Sequence, residues 1–337
     1  MRKKGILLLP LLLLAVLAAA QKKNVLFIGN SYTSANDLPS LVRQAAQSAG
    51  HDIVYESNTP GGCTFSQHCE NRSMDLIRQG GWDIVVLQEQ SQYPAFPQEQ
   101  VENEVFPYAK RLVDSIRAHT AAVPMFYMTW GRRDGDRDNA ANYPVLATYW
   151  GMDSMLYERY MQMKTSNRAA VCPVGRVWRY LRTCHPQVEL YASDGSHPSP
   201  AGSYAAACAF FVMFFEEPAS HITFLSSLDS LTATLIRRAT DSVVYAKMEQ
   251  WKMGGGTQVI SGAEEQEGTL RIFPNPATTI LMVECDSQGE AVLTDMMGRT
   301  VRRMTLTPGR TVVQLHGLPK GIYNLRSKGG YCRVVKR

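Results

Sequence analysis

Val25-Leu26-Phe27-Ile28-Gly29-Asn30-Ser31-Tyr32-Thr33 opens with four apolar residues and ends on glycine, asparagine and serine. A short run that is apolar at every position reads as a strand covered on both faces, as in a parallel sheet. The period then changes. Leu38, Leu41, Val42, Ala45, Ala46 and Ala49 recur near helical spacing, so a helix is expected over Leu38–Ala49. The alternation continues along the chain. Strands are expected at Asp52–Glu56, Ile84–Leu87 and Val123–Met128, with a weaker one at Arg168–Val171. Helices are expected at Val101–His119, Tyr204–Phe215 and Leu225–Trp251, while the Tyr-rich segment Tyr143–Tyr160 reads as core or helix surface. This order predicts an α/β domain with a parallel sheet covered on both faces. In such sheets ligands sit at the carboxyl ends of the strands, which is where Gly29 to Thr33 lie.

The 337 residues are 45% hydrophobic and 19% charged, which excludes a disordered, collagen-like or coiled-coil chain. The net charge of +5 is unevenly placed. Residues 1–20 hold three cations and no acid, and residues 269–337 hold 11 basic against 4 acidic residues. The middle of the chain therefore carries −5, which argues against a nucleic-acid partner.

Both ends read as addresses. Arg2-Lys3-Lys4, the apolar run Ile6–Leu17 and Ala18-Ala19-Ala20 have the order of a secretory signal peptide, 1–20. The run is short for a membrane span and Pro10 interrupts it, so the mature chain is expected to begin near Gln21 with no transmembrane span. Export permits disulfides, and Cys63–Cys69 and Cys172–Cys184 are plausible local pairs among seven cysteines. No Cys/His spacing resembles a zinc site, so no metal is expected. The main domain is expected over 21–252, a Gly-, Glu- and Gln-rich linker over 253–268 and a β-domain over 269–337. The last region has seven short β-like runs separated by Pro, Gly and Asn turns, the pattern of a small β-sandwich.

That tail resembles the C-terminal sorting domain of the type IX secretion system of Bacteroidota. The resemblance rests on Phe273-Pro274-Asn275-Pro276, Asp295-Met296-Met297-Gly298-Arg299, Leu318-Pro319-Lys320-Gly321-Ile322-Tyr323 and Val334-Val335-Lys336-Arg337. It implies the type IX secretion machinery as a partner, and a secreted protein at the cell surface or outside the cell. A carbohydrate-binding β-module is the competing reading. Phe273, Tyr323 and Tyr331 are the only aromatics available there for stacking on sugars, which counts against it.

Four blocks of the main domain carry chemistry. Ser31 sits just past a strand, where its hydroxyl and amide face the sheet's carboxyl edge, although serine there is also an ordinary helix cap. Asp194-Gly195-Ser196-His197 places a base and an orienting carboxylate three residues apart on one loop. Thr59-Pro60-Gly61-Gly62 allows close backbone approach, with Gly62 offering an N–H. Leu87-Gln88-Glu89-Gln90-Ser91 brings side-chain amides to the third strand's end. Taken singly, each block could be an ordinary turn or loop.

Together, and in this order, they resemble the SGNH/GDSL hydrolase superfamily over about residues 24–220, in a bacterial branch known as an uncharacterised domain family. The resemblance implies a flavodoxin-like three-layer α/β/α fold and a carboxylic ester hydrolase that needs no cofactor. Ser31 takes the nucleophile's place, His197 the base's and Asp194 its orienter's; Ser31, Gly62 and Gln88 take the oxyanion hole. The sequence departs twice. Asn30 stands where aspartate is usual, and the third block lacks its asparagine, so Gln88 is the first substitute donor and Gln90 the second. Loss of one such donor costs about 2.7–4 kcal/mol in the transition state. Gln90, His68 and Trp130 are candidates to line the substrate, with ordinary loop structure the competing reading for His68 and Trp130. Short acyl esters, acetyl above all, on carbohydrate are the expected substrates. A lipolytic esterase or lysophospholipase and a catalytically weak glycan-binding surface protein are the rivals.

Overall fold

The computed structural model describes residues 20–254, 270–285, 288–295, 300–327 and 330–337. The signal-peptide run, nearly all of the linker and residues 296–299 of the Asp295–Arg299 turn lie outside them.

Five strands build the main sheet: β1 (Lys22–Ile28), β2 (Asp52–Asn58), β3 (Ile84–Leu87), β4 (Val123–Tyr127) and β5 (Ala170–Cys172). Their order is β2-β1-β3-β4-β5, all parallel, which is the flavodoxin-like arrangement. The register pairs Ile28 with Asn58 on one side and with Leu87 on the other, so the segments leaving β1, β2 and β3 start level with one another.

The helices are α1 (Ser31–Ser34), α2 (Leu38–Ser48), α3 (Phe65–His68), α4 (Arg72–Gln79), α5 (Gln98–Glu104), α6 (Phe106–His119), α7 (Arg137–Ala140), α8 (Tyr149–Ser166), α9 (Val174–Cys184), α10 (Pro200–Phe215), α11 (Ser230–Val243) and α12 (Met248–Trp251). α2 buries Leu38, Leu41, Val42, Ala45 and Ala46, the stripe its sequence spacing marks. α10 is buried at every position from Ala201 to Phe215 and packs on α2, α9 and α11, with Phe210 edge-on to Phe27 of β1. No helix among the described residues is long and apolar enough to cross a membrane.

Three sequence expectations change in detail. Val101–His119 is two helices, broken at Val105 ahead of Pro107, whose ring removes a backbone donor. Leu225–Trp251 is also two, because Asp229 caps α11 by accepting the Thr232 amide and the chain kinks at Val244. α9 has no counterpart in the sequence reading. The longest helix, α8, has buried Asp153, Arg159 and Lys164 among its apolar residues, which blurs its helical period. Neither of the two plausible local pairs is bonded: Cys63, Cys69, Cys172 and Cys184 are free thiols.

Among the described residues the tail has seven strands where the turns delimit them: β6 (Arg271–Phe273), β7 (Ile280–Cys285), β8 (Gly289–Asp295), β9 (Thr300–Leu306), β10 (Gly309–Gln314), β11 (Gly321–Ser327) and β12 (Gly330–Lys336). They form two antiparallel sheets, β10-β7-β6 and β12-β11-β8-β9, around Leu281, Val283, Leu293, Val313 and Leu325. The chain's end returns to the Pro-rich loop. Ala277 N donates to Val335 O (2.8 Å), Arg337 N to Ala277 O (2.9 Å) and Val335 N to Asn275 Oδ1 (2.8 Å).

Candidate active site

The site grows from the end of β1. Gly29 is required there, since a Cβ would lie 2.4 Å from Thr33 Oγ1 and 2.7 Å from Gln88 Oε1. Asn30 follows in extended backbone and caps α1, its Oδ1 accepting the Tyr32 amide at 3.1 Å. Ser31 is the first residue of α1. Its amide precedes the first helical turn and so has no intrahelical acceptor.

Ser31 Oγ lies 2.9 Å from His197 Nε2, and His197 Nδ1 lies 2.5 Å from Asp194 Oδ2. The partners fix the tautomer. A carboxylate accepts, so Nδ1 carries the hydrogen and Nε2 presents its lone pair to the serine hydroxyl. Asp194 Oδ1 also accepts the amides of Ser196 (2.9 Å) and His197 (3.0 Å). Burial works against the Asp194 charge, but hydrogen bonds from the His197 ring and from these two amides outweigh it and hold the carboxyl below the usual aspartate value. Gly195, with φ +70°, makes this tight turn possible. Ser31, His197 and Asp194 thus form one hydrogen-bonded chain. Such a chain can deprotonate a hydroxyl as it attacks a carbonyl.

Gly62 lies in the turn after β2 with φ +68°. This turn is tied to the nucleophile segment by Asn30 Nδ2, which donates to Cys63 O at 3.0 Å. The bond gives Asn30 a physical reason. Aspartate at that position would set an acceptor against a carbonyl.

Gln88 requires a correction. It is completely buried, and both hydrogens of its Nε2 are engaged, by Asn30 Oδ1 (2.9 Å) and by Glu89 O. Its Oε1 accepts the Asn30 amide (3.0 Å) and Thr33 Oγ1 (2.8 Å). Gln88 therefore braces the nucleophile segment and has no donor left for an oxyanion. Gln90 accepts the Gln92 amide through Oε1 at 3.0 Å, a bond that leaves its Nε2 uncommitted.

Two expected substrate-lining residues are also corrected. His68 is fully buried, with Nε2 donating to Gly29 O (2.9 Å) and Nδ1 facing Ser73 Oγ (2.8 Å). Burial lowers its pKa, against the pull of the Gly29 carbonyl and Asn71. Trp130 is fully buried too. Its ring stacks between Tyr32 and Trp178, at 4.7 and 3.8 Å, and its Nε1 donates to Ser196 O at 3.1 Å.

Sequence reasoning gave no role to Glu89, which sits between two glutamines and looks like part of a polar loop. Its side chain is buried, accepting the Phe65 amide on both oxygens (3.0 and 3.1 Å) and the Gln90 amide (2.6 Å). It joins the end of β3 to the start of α3, just past the glycine turn. Burial pushes its carboxyl up to about 8, against the pull of those two amides. Tyr32 was also missed: its Oη lies 2.6 Å from Ser196 Oγ and its ring stands edge-on to His197.

Comparison with known proteins bears on both ends of the chain. Residues 271–337 match the family described as the Secretion system C-terminal sorting domain. The fold is similar to that of a DUF4886 family protein from Bacteroides uniformis ATCC 8492, with a TM-score of 0.58, 17% identity, and 66% of this chain and 94% of that chain covered. A candidate SGNH hydrolase from Slackia heliotrinireducens superposes with a TM-score of 0.47 at 26% identity over 56% of this chain and 97% of its own. Among curated proteins, none matches the sequence. The main domain thus shares its α/β fold with the DUF4886 family protein, and residues 271–337 match the sorting-domain family.

Proposed function

We propose that this chain, with its sorting domain at the C-terminus, is an exported serine esterase that removes short acyl groups, most simply acetyl, from carbohydrate. One observation carries the reading: the continuous Ser31–His197–Asp194 chain at the carboxyl edge of the parallel sheet. In the proposed reaction Ser31 Oγ attacks the ester carbonyl while its proton passes to His197 Nε2. Asp194 holds the tautomer and stabilises the imidazolium. The amides of Ser31 and Gly62 stabilise the oxyanion, with Gln90 as the remaining side-chain donor. The tetrahedral species collapses, His197 gives its proton to the leaving alcohol, and water repeats the sequence on the acyl-enzyme to release the acid.

Polar side chains also gather in the loops that follow β3 and β4. Ser91 Oγ donates to Gln92 Oε1 (2.8 Å), and Arg132 donates to the same oxygen (2.7 Å) and to Asp136 (2.9 Å). An apolar groove lined by Phe106, Tyr157 and Met161 lies between α6 and α8 and contains none of the three catalytic candidates.

Acetate release from acetylated oligosaccharides, set beside hydrolysis of p-nitrophenyl esters of increasing chain length, tests the reading. Preference for acetyl supports it. Rates that climb with chain length would replace it with a lipolytic esterase. Saturable glycan binding with no hydrolysis would replace it with a binding protein.

A further inference from the structure

We propose that Tyr32, Trp130 and Ser196 form a positioning triangle that sets the separation between Ser31 and His197; the inference rests on the serine-hydrolase reading above. The loop bearing Asp194 and His197 is a surface feature, with side chains 48% and 41% exposed, so burial alone does not fix it. Its serine partner belongs to a different element, 166 residues away in the chain. Something must hold the two together.

Each corner of the triangle sits on a different element and beside a different part of the machinery. Tyr32 follows the nucleophile in α1 and Ser196 precedes the base. Trp130 lies in the segment leaving β4, locked from behind by Trp178 of α9 at 3.8 Å and 10°. All three sides are closed. Tyr32 lies flat on Trp130, with centroids 4.7 Å apart and planes 2° from parallel. Tyr32 Oη meets Ser196 Oγ at 2.6 Å, and Trp130 Nε1 donates to Ser196 O at 3.1 Å. Ser196 is thus gripped through both side chain and carbonyl by two stiff rings that are stacked on each other.

Arg133, three residues after Trp130, completes the hold. Arg133 N donates to Gly195 O (2.8 Å) and its guanidinium to Ala192 O (3.0 Å), so the segment leaving β4 grips the loop at three of its carbonyls. Rings with few torsions keep a distance better than flexible side chains do, and stacking of the two rings adds to that rigidity. Misplacing reacting groups by about 1 Å can cost about 100-fold in rate. Tyr32, Trp130 and Ser196 are positioning residues; none needs to touch substrate.

The test uses the full chain and a fluorophosphonate probe, reading both the final fraction of Ser31 labelled and the rate constant of labelling. Tyr32→Phe removes only Oη, Ser196→Ala removes only Oγ, and Ser196→Thr keeps a hydroxyl. Tyr32→Phe and Ser196→Ala should reach the wild-type end point with rate constants lowered by about 10–100-fold, and Ser196→Thr should recover most of the loss. With an acetyl ester, kcat should fall by the same factor while KM stays within about twofold. Wild-type rate constants in both variants would overturn the triangle. So would a lowered end point with an unchanged rate constant, which marks a folding defect rather than misplacement. A wild-type chain that never labels would remove the hydrolase reading itself, and the triangle with it.

Discussion

Gln88 and Asn30 are joined by two reciprocal hydrogen bonds, Asn30 N to Gln88 Oε1 at 3.0 Å and Gln88 Nε2 to Asn30 Oδ1 at 2.9 Å. The pair welds the end of β3 to the nucleophile segment in a completely buried place, so Gln88 acts through the backbone it holds. Gln88→Ala should therefore lose stability and rate together. Leaving the Asn30 backbone amide buried without a partner costs about 1–3 kcal/mol. Unfolding in urea and ester hydrolysis, measured on the same preparation, check this. A fall in kcat with unchanged stability would restore Gln88 as an oxyanion donor.

Asn30→Asp installs the residue usual at that position in SGNH/GDSL hydrolases, yet it is expected to be damaging here. It removes the Nδ2 donor to Cys63 O and sets a carboxylate oxygen against that carbonyl. Stability should drop by about 1–3 kcal/mol. A variant as stable as the wild type would mean that the bond to the glycine turn contributes little.

Glu89 makes stability depend on pH. Burial raises its carboxyl from 4.5 to about 8, so between those values the folded chain keeps a proton that the unfolded chain has lost. Unfolding then releases a proton, and stability falls as pH rises through that window. Glu89→Gln cannot titrate. Relative to it, the wild type should lose on the order of a few kcal/mol between about pH 5 and about pH 8. Unfolding curves for both proteins at the two values give the answer, and parallel behaviour would contradict the shift.

The tail predicts location. Residues 271–337 match a sorting domain, and Asn275 and Ala277 hold the final strand by hydrogen bonds at its very end. In a host with the matching export machinery, a chain lacking 271–337 should stay in the periplasm and keep its hydrolytic activity. Activity outside the cell from the shortened chain would show that export does not need the tail.

The layered fold was legible because its signal is local and redundant. Val25–Ile28 and Ile84–Leu87 are apolar at every position, and α2 shows its stripe plainly. Ser31, Asp194 and His197 could be picked out because each lies where a strand ends or a tight turn forms. The roles of Gln88, His68 and Trp130 could not be read in the same way. An amide can donate outward or inward, and a histidine can line a pocket or support a carbonyl; only the groups packed around it decide. Glu89 was hidden for a related reason. Its polar neighbours suggested solvent, while the acceptor need of the Phe65 and Gln90 amides draws the carboxyl group inside.

Covalent capture of the nucleophile tests the central claim most directly. The full chain is treated with a fluorophosphonate probe, and the modified residue is located by mass spectrometry in the wild type and in His197→Ala. The account predicts an adduct on Ser31 that is lost when His197 is removed, since without the base at 2.9 Å the hydroxyl is not activated. A folded wild type without an adduct, or labelling of Ser31 indifferent to His197, would contradict it.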